Sequence, residues 1–273
     1  MSLRSGSLVG AQHPDLGAIA TVAEGACAIA ISRGGANKVY DHVDPNEDCA
    51  LFATGGGGSL LAVADGHHGS HGAQAAIEAL ARDTAPAACA TASPTQAEAG
   101  WTDWLYDELQ RTSAAVVRDA AQRKLAPAPT TLCVVVIRPA EQEWSWAAIG
   151  DSHIFQFDST EAHDCGWQAS PDRLGRAHFM GVAEESWHRA NTALGWAPLG
   201  DTEAIVLATD GLSERNIGLK NPASGVAAAA VGAREIEEPR RAQWLARDVA
   251  ARAKAAHRQH KSGDNIAAAV WIR

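Results

Sequence analysis

Eight short apolar runs recur along the chain, and each is bounded by Gly, Pro, Asp or Asn. Runs of this length with turn residues on both sides are typical of β-strands. The predicted strands span residues 26–32, 49–53, 60–64, 132–137, 144–149, 154–157, 205–208 and 266–272. Only a few residues separate the second strand from the third and the fifth from the sixth. We expect each of these pairs to form an antiparallel hairpin, because a parallel connection needs a dozen or more residues.

Three amphipathic patterns lie between these runs, over residues 72–82, 101–124 and 240–257. Each repeats apolar residues at three- and four-residue steps and keeps one charged face, which predicts helices that pack one side on a sheet. The expected class is therefore α+β with antiparallel sheets. We expect a single domain over residues 26–273, because there is no internal repeat or long linker. Residues 1–25 are polar and Gly-rich and are expected to form a loose arm.

Charge and composition argue against several classes of protein. Lys and Arg total 23 against 32 for Asp and Glu, which gives a net charge of −9 and no basic surface for nucleic acid. The apolar stretches fall short of the roughly 18 residues that a membrane span needs. We therefore expect neither a nucleic acid nor a membrane as partner. The five cysteines include no C-x-x-C pair and residues 1–10 lack the pattern of a secretory signal, which favours the cytoplasm.

Acidic residues stand at the ends of the predicted strands. Glu47 and Asp48 precede strand 49–53 and Asp65 follows strand 60–64, so an antiparallel hairpin returns all three to one edge. Asp210 follows strand 205–208 and Asp264 precedes strand 266–272, which brings them together if those strands also pair antiparallel. Carboxylates gathered in this way repel one another unless a cation neutralises them. Oxygen ligands without a zinc-type His or Cys cluster favour Mg²⁺ or Mn²⁺.

A simpler interpretation is that these acids are turn residues, which accounts for any one of them but less well for the set. Asp65-Gly66 and Asp210-Gly211 repeat the same step from an acid to a glycine, and glycine permits close approach of a ligand. The carbonyl of Gly66 can coordinate a hard ion beside Asp65. His67 follows directly and is placed to exchange a proton with a substrate.

Seven motifs resemble, in order, the signature series of the metal-dependent Ser/Thr protein phosphatases of the type 2C (PPM) family. Each motif is weak alone, but their order and spacing from residue 26 onward are specific. The resemblance implies a central β-sandwich of two antiparallel sheets flanked by helices, a four-layer αββα arrangement, with two metal ions at one end. The motifs are Pro45-Asn46-Glu47-Asp48, Val63-Ala64-Asp65-Gly66-His67, Thr130-Thr131-Leu132, Gly150-Asp151-Ser152, Leu194-Gly195, Ala208-Thr209-Asp210-Gly211-Leu212 and Ser262-Gly263-Asp264-Asn265-Ile266.

The resemblance also implies a reaction and a role for each matching residue. The implied reaction is hydrolysis of phosphoserine and phosphothreonine on proteins by a metal-activated water, without a covalent intermediate, and a Ser/Thr kinase system is the implied partner. His67 would protonate the leaving oxygen, Asp48 would act as a ligand and fix metal-bound waters, and Asn265 would support the site. The implied ligands of the two Mg²⁺ or Mn²⁺ ions are Asp65, Asp210 and Asp264 for one ion, and Asp65, Glu47 through water and the carbonyl of Gly66 for the other.

The chain departs from the family pattern where the substrate phosphate is held. Many members carry an arginine five residues before the second acid of the Glu-Asp pair, and this chain has Val43 there. Arg33 and His42 are the candidate replacements if the loop between residues 32 and 46 folds back. An arginine can bind phosphate through two hydrogen bonds, whereas a valine cannot.

Other departures concern a third metal and the substrate-binding flap. Pro129 and Ala126 replace a glycine and an acid that help bacterial relatives to hold a third metal, so a third ion is not expected. His153 replaces the arginine of the usual Gly-Asp-Ser-Arg step, and Asp151 is interpreted as a turn residue. The segment 157–191 is rich in Trp and His and is a candidate for binding substrate. Tryptophans such as Trp167, Trp187 and, just after the segment, Trp196 are nevertheless more typical of a core or an interface.

Two alternatives stay open at this point. Because function belongs to the site and not to the fold, the missing arginine is compatible with a non-catalytic regulatory or binding module. A different loop in place of the usual phosphate contact would instead suit a hydrolase of small phosphoesters.

Overall fold

Two antiparallel six-stranded sheets form the centre of the molecule. The computed structural model describes residues 2–39, 41–95, 98–166, 179–181 and 189–273. In chain order the strands are Arg4–Val9 (β1), Ala20–Glu24 (β2), Cys27–Ser32 (β3), Cys49–Thr54 (β4), Ser59–Ala64 (β5), Leu132–Arg138 (β6), Glu143–Ile149 (β7), His153–Phe157 (β8), Ala162–Asp164 (β9), Ala193–Pro198 (β10), Ala204–Ala208 (β11) and Ile266–Ile272 (β12). The first sheet has the order β1-β4-β5-β6-β7-β10, and the second has the order β2-β3-β12-β11-β8-β9.

Helices cover the outer face of each sheet. Within the described ranges they are His71–Ala79 (α1), Ala85–Ala88 (α2), Glu98–Arg123 (α3), Pro222–Ala233 (α4) and Glu238–His260 (α5), and a π-helical stretch, Leu80–Thr84, joins α1 to α2. Helices α1 and α3 pack on the first sheet, and α4 and α5 pack on the second. None of the described helices combines the length and the apolar character that crossing a bilayer requires.

The strands are apolar on both faces because each sheet packs against the other sheet and against helices. In β3, Cys27, Ile29 and Ile31 belong to the core between the two sheets. Ala28 and Ala30 alternate with them and pack with the helices of the second sheet. All five residues are completely buried. Alternation of side chains along one strand therefore fills two cores, and the expected four-layer αββα arrangement is confirmed.

The eight predicted strands and the three predicted helices are all present. The predicted ends of the helices differ from the observed ends by three residues at most. The hairpin of β4 and β5 is also confirmed, in register from Cys49 opposite Ala64 to Thr54 opposite Ser59. Its turn is closed by a hydrogen bond of 2.9 Å from the amide of Gly55 to the carbonyl of Gly58.

The second expected hairpin, between strands 144–149 and 154–157, is wrong. Strand β7 pairs with β6 and β10 in the first sheet, whereas β8 pairs with β11 and β9 in the second. The connection Gly150-Asp151-Ser152 crosses from one sheet to the other, and Gly150 has a φ of 99° that favours glycine. A short connection therefore joins two stacked sheets here instead of reversing the chain within one sheet.

The expectation that residues 1–25 form a loose arm is wrong for much of that segment. Strand β1 pairs with β4, and β2 pairs with β3. Both strands lie at sheet edges, and β1 buries only Leu8 and Val9 while its first residues are exposed. Main-chain hydrogen bonds to the neighbouring strand, rather than an apolar side-chain pattern, hold this segment.

Candidate active site

The predicted acids come from both sheets and meet at one end of the sandwich. Strands β4 and β5 pair so that the residues just before β4 and just after β5 share an edge. Strands β11 and β12 pair antiparallel in the same way, which brings the residues after β11 next to those before β12. A cavity of about 330 Å³ lies at this end, and its lining includes Glu47, Asp65, Gly66, His67, Asp210 and Asp264. Four of the five predicted acids therefore line one cavity.

Asp48, the fifth acid, lies outside the cavity lining and connects the two sheets. It is 1 % exposed, and its Oδ2 accepts a hydrogen bond of 2.6 Å from Thr209 Oγ1. Thr209 Oγ1 in turn accepts a hydrogen bond of 2.9 Å from the amide of Ala267 on β12. Asp48 precedes β4 of the first sheet, while Thr209 and Ala267 belong to the second, so the hydrogen bonds hold the two acidic edges together.

Two polar motifs fix the backbone of the acidic loops. Thr131 Oγ1 accepts a hydrogen bond of 3.1 Å from the amide of Asp65, and Thr130 Oγ1 donates one of 2.8 Å to the Asp65 carbonyl. Asn265 Oδ1 accepts a hydrogen bond of 2.8 Å from the amide of Glu47, and its Nδ2 donates one of 3.0 Å to the carbonyl of Pro45. These contacts suit the supporting role predicted for Asn265.

Burial and repulsion between carboxylates raise the pKa of three of these acids. Loss of solvation is the largest cause for Asp48, Asp65 and Asp210, and neighbouring carboxylates add to it. The pKa of Asp48 rises to about 7, and the pKa values of Asp65 and Asp210 rise well above their ordinary value of 3.8. A divalent cation would relieve this repulsion, and carboxylate and carbonyl oxygens are the donors that Mg²⁺ and Mn²⁺ prefer. The chemistry of the donor set therefore fits the predicted ions.

Lys38 reaches into the same acidic end, and no sequence motif identified it. Its Nζ lies 3.3 Å from Glu47 Oε2 and 3.4 Å from Asp264 Oδ1, and its side chain is 4 % exposed. Burial lowers the pKa of Lys38, but the surrounding carboxylates together raise it above its ordinary value, so the ammonium stays charged. Within the described part of the chain, no group of three His, Cys, Asp or Glu side chains is arranged to hold a metal directly. The ammonium of Lys38 stands between two carboxylates that such a group would use.

Comparison with known proteins identifies the family of this chain. The sequence profile of the protein phosphatase 2C family matches residues 40–250. The chain belongs to the protein phosphatase 2C family. The resemblance inferred from the seven motifs is thereby confirmed. A search among curated proteins gave no match.

Solved structures of phosphatases share the 2C fold with this chain. Serine/threonine phosphatase Stp1 from Staphylococcus aureus has a TM-score of 0.63 at 16% identity, covering 92% of this chain and 96% of that one. PppA, a regulatory component of T6SS in Pseudomonas aeruginosa, has a TM-score of 0.56 at 19% identity, covering 92% and 98%. The catalytic domain of the phosphatase PstP, in complex with two manganese ions, has a TM-score of 0.59 at 18% identity, covering 93% and 99%. At identities this low, the structural similarity establishes a common fold and nothing more.

Neither residue predicted to replace the phosphate-binding arginine of the 2C family joins the acids. Val43, at the position of that arginine, is 69 % exposed. The Arg33 guanidinium instead donates to the carbonyl of Pro14 at 3.1 Å and to Asn37 Oδ1 at 3.2 Å. His42 is exposed and is not part of the cavity lining. The connection between β3 and β4 does fold back over the site, but the residues that it contributes to the cavity lining, besides Glu47, are Lys38 and Asp41.

His67 and Asp151 complete the cavity wall on the side of the first sheet. The His67 ring centroid lies 4.4 Å from that of Phe179, which also lines the cavity. Burial lowers the pKa of His67, and the nearby Asp151 carboxylate opposes this shift. Asp151 was interpreted as a turn residue, but it lines the cavity, and burial raises its pKa. Its position two residues after β7, at the same end of the sandwich, was the sequence signal for this role.

His153, which replaces the arginine of the Gly-Asp-Ser-Arg step, links two loops near the site. Its Nδ1 lies 2.5 Å from Asp164 Oδ2 and its Nε2 lies 2.5 Å from Ser213 Oγ. Ser213 directly follows a single 3-10 turn, Asp210–Leu212, that carries one of the site acids. The three side chains therefore join the end of β9 to the Asp210 loop.

The predictions for the tryptophans can be compared with the structure at one position. Trp167 and Trp187 lie outside the described residues. Trp196 lies in β10, where its Nε1 donates a hydrogen bond of 2.9 Å to Glu143 Oε2 and its ring packs against the core of the first sheet. Trp196 has the core role that was considered more typical, and no described tryptophan lines the cavity.

Proposed function

We propose that this protein hydrolyses phosphoserine and phosphothreonine on protein substrates in a reaction that depends on Mg²⁺ or Mn²⁺. The observation that carries the proposal is the convergence of Glu47, Asp65, Asp210 and Asp264, with His67, on one cavity in a chain of the 2C phosphatase family. Function belongs to the site, and here the site retains every acid that the chemistry needs.

Two ions would share the acids of the cavity. Asp65, Asp210 and Asp264 would hold one of them, and Asp65, the Gly66 carbonyl and Glu47 through water would hold the other. When bound, such ions activate a water for attack on phosphorus and offset negative charge on the phosphoryl oxygens. Asp48 would position the ordered waters from its place beneath the cavity, where Thr209 orients its carboxylate.

His67 is the proposed proton donor to the departing serine or threonine oxygen. An alkoxide is a poor leaving group, so a donor within the cavity lowers the barrier for these substrates. The ring of Phe179 packs on the His67 ring and limits its rotation. The Asp151 carboxylate favours the protonated imidazole and so opposes the effect of burial. Burial remains the larger effect, so the pKa of His67 stays below its ordinary value and the Asp151 carboxylate offsets only part of the loss of the protonated form.

The proposed partners are phosphoproteins and the Ser/Thr kinase that produces them. PppA, which shares this fold, is a key regulatory component of T6SS in Pseudomonas aeruginosa, and a regulatory role of that kind is compatible with the proposed partners. All five cysteines of the present chain are free thiols, and four of them are buried. Thiols without disulfides suit a reducing compartment, so we propose the cytoplasm as the location.

The proposed activity is tested with two substrates, p-nitrophenyl phosphate and a phosphothreonine peptide. Each is incubated with the parent protein in Mn²⁺, Mg²⁺ or EDTA, and with Asp65→Asn. Asp201→Asn is the matched control, because Asp201 is an exposed acid in the turn between β10 and β11. We expect hydrolysis of both substrates that EDTA abolishes, a loss of at least about 100-fold in Asp65→Asn and no loss in the control.

Other outcomes would contradict the proposal in distinct ways. Hydrolysis of the aryl ester alone would indicate a hydrolase of small phosphoesters. Binding of Mn²⁺ without turnover of either substrate would indicate a non-catalytic module. Turnover that survives EDTA would show that the reaction does not depend on the proposed ions.

A further inference from the structure

Lys38 is the one side chain with a permanent positive charge among the described residues that line the acidic cavity. It comes from the connection between β3 and β4, and its ammonium contacts Glu47 and Asp264. A lysine buried in a phosphatase cavity has two possible uses. It either neutralises the acids as a structural counter-ion, or it contacts the substrate.

The charge of the cavity distinguishes these two uses. Four carboxylates act on the Lys38 ammonium, those of Glu47, Asp48, Asp65 and Asp264, so one lysine leaves most of their charge unbalanced. A phosphoryl dianion would be repelled from such a cavity. With the acids neutralised by bound divalent cations, as the proposed function requires, the charge of Lys38 becomes available to a further anion in the same space.

The reach of the side chain permits this change of partner. The lysine ammonium sits on a flexible stem of four methylenes and acts as a point charge with three donors, so it can turn between acceptors in one cavity. The Arg33 guanidinium is committed to Pro14 and Asn37, and Val43 has no charge to offer. Lys38 and Val43 belong to the same connection between two strands. Other 2C members carry their arginine at the position of Val43, whereas in this chain the positive charge comes from Lys38, five residues earlier.

We propose that Lys38 binds the phosphoryl group of the substrate and replaces the missing arginine of this family. The proposal rests on the proposed phosphatase function, because it assigns a residue to that same site. An ammonium lacks the planar pair of donors of a guanidinium, so its contact with phosphate is a single charged hydrogen bond. Removal of the Lys38 charge should therefore change phosphate affinity and KM more than it changes the affinity of the acids for metal.

The test measures binding of inorganic phosphate to the Mg²⁺-loaded protein by calorimetry, which needs no turnover. Lys38→Met removes the charge and keeps the length of the stem, Lys38→Gln removes the charge and keeps a hydrogen-bond donor, and Lys38→Arg keeps the charge. Lys220→Met is the control, because Lys220 is exposed outside the cavity lining. We expect both uncharged variants to lose about 10- to 100-fold in phosphate affinity, as for one charged hydrogen bond. Lys38→Arg should retain most of the affinity, and the control should match the parent.

A second readout is the Mg²⁺ affinity of the same variants without phosphate. We expect it to stay equal or to become tighter in Lys38→Met, because the ammonium no longer competes for the carboxylates. If the phosphate affinity of the uncharged variants equals that of the parent once Mg²⁺ is saturating, Lys38 acts only on the carboxylates as a counter-ion and the proposal is overturned. Unchanged phosphate affinity in both Lys38→Met and Lys38→Gln would overturn the proposal as well. Two uncharged variants are compared so that misfolding of one does not decide the result.

Failure of this proposal can be separated from failure of the proposed function. If the parent hydrolyses the phosphothreonine peptide and Lys38→Met has the same KM, the phosphatase function stands and the role of Lys38 does not. If the parent binds phosphate through Lys38 but hydrolyses neither test substrate, the assignment of Lys38 stands and the catalytic function does not.

Discussion

Asp48→Asn is expected to stabilise the metal-free protein at alkaline pH, although it removes one of the predicted site acids. Asp48 is 1 % exposed, and burial, followed by the nearby Asp264, raises its pKa to about 7. Asparagine has nearly the same shape, carries no charge and can still accept the hydrogen bond from Thr209. The substitution therefore removes the buried charge and keeps the contact between the sheets.

The size of the effect follows from the pKa difference between the folded and unfolded chain. The ordinary pKa of this carboxyl is 3.8, and the folded value is about 7. Because the folded value is the higher one, the stability contributed by the protonated form is present below about pH 4 and is lost as the pH rises through about 7. About three pKa units at roughly 1.4 kcal/mol each amount to about 4 kcal/mol. For a chain of this size that corresponds to a shift of roughly 10 °C in Tm.

The assay is thermal unfolding in EDTA, followed by circular dichroism near pH 8 and near pH 4.5. We expect Asp48→Asn to unfold at a higher temperature than the parent near pH 8, and most of this advantage to disappear near pH 4.5. Asp201→Asn, at an exposed turn position, should follow the parent at both values. An Asp48→Asn variant that unfolds below the parent near pH 8, or an advantage that is equal at both values, would refute the assignment of a buried and repelled charge.

Substitutions at three further residues test the hydrogen bonds and the proton donor of the site. His67→Ala should slow hydrolysis of a phosphothreonine peptide more than that of p-nitrophenyl phosphate, because an aryl oxide leaves without a proton; equal losses in kcat would remove the acid role. Asn265→Ala should lower the free energy of unfolding in urea by about 1–3 kcal/mol, because the amide of Glu47 loses its buried partner. His153→Phe should cost about 1–3 kcal/mol in the same assay, with His153→Gln closer to the parent, because the half-buried Asp164 and Ser213 lose their contacts with the ring nitrogens.

The strands that the sequence predicted are the internal ones, and the four that it did not are the sheet edges. Strands β1, β10, β2 and β9 lie at the ends of the two sheets. An internal strand such as β3 is buried along its whole length, so its residues are apolar without interruption. An edge strand such as β1 exposes half of its residues and is held by main-chain pairing on one side. Its side chains therefore carry too little of the apolar pattern by which strands are predicted.

The connection between β7 and β8 shows why topology was harder to predict than the elements. Both strands were predicted within one residue, and their short separation favoured a hairpin. In two stacked sheets, a connection of the same length can instead carry the chain from one sheet to the other. Which of these occurs depends on the partners β10 and β11, which follow much later in the chain.

The acids of the site were predictable and its lysine was not, for a physical reason. Asp65 and Asp210 follow apolar runs within two residues, so their place relative to a sheet edge follows from strand pairing. Lys38 lies in an irregular connection, where spacing along the chain does not predict which way a side chain points. An excess of buried carboxylates indicates that a cation is needed, but it does not say which lysine supplies it.

The placement of the acids on both sheets couples the stability of the sandwich to its proposed ligands. Glu47 and Asp65 belong to the edge of the first sheet, and Asp210 and Asp264 to that of the second, so closing this end of the sandwich brings like charges together. Lys38 offsets part of the repulsion, and neighbouring carboxylates add to the larger effect of burial in raising the pKa of Asp65 and Asp210. A cation that binds only the folded chain stabilises it by mass action. The same charges that would draw divalent ions into the cavity therefore destabilise the metal-free sandwich at this end.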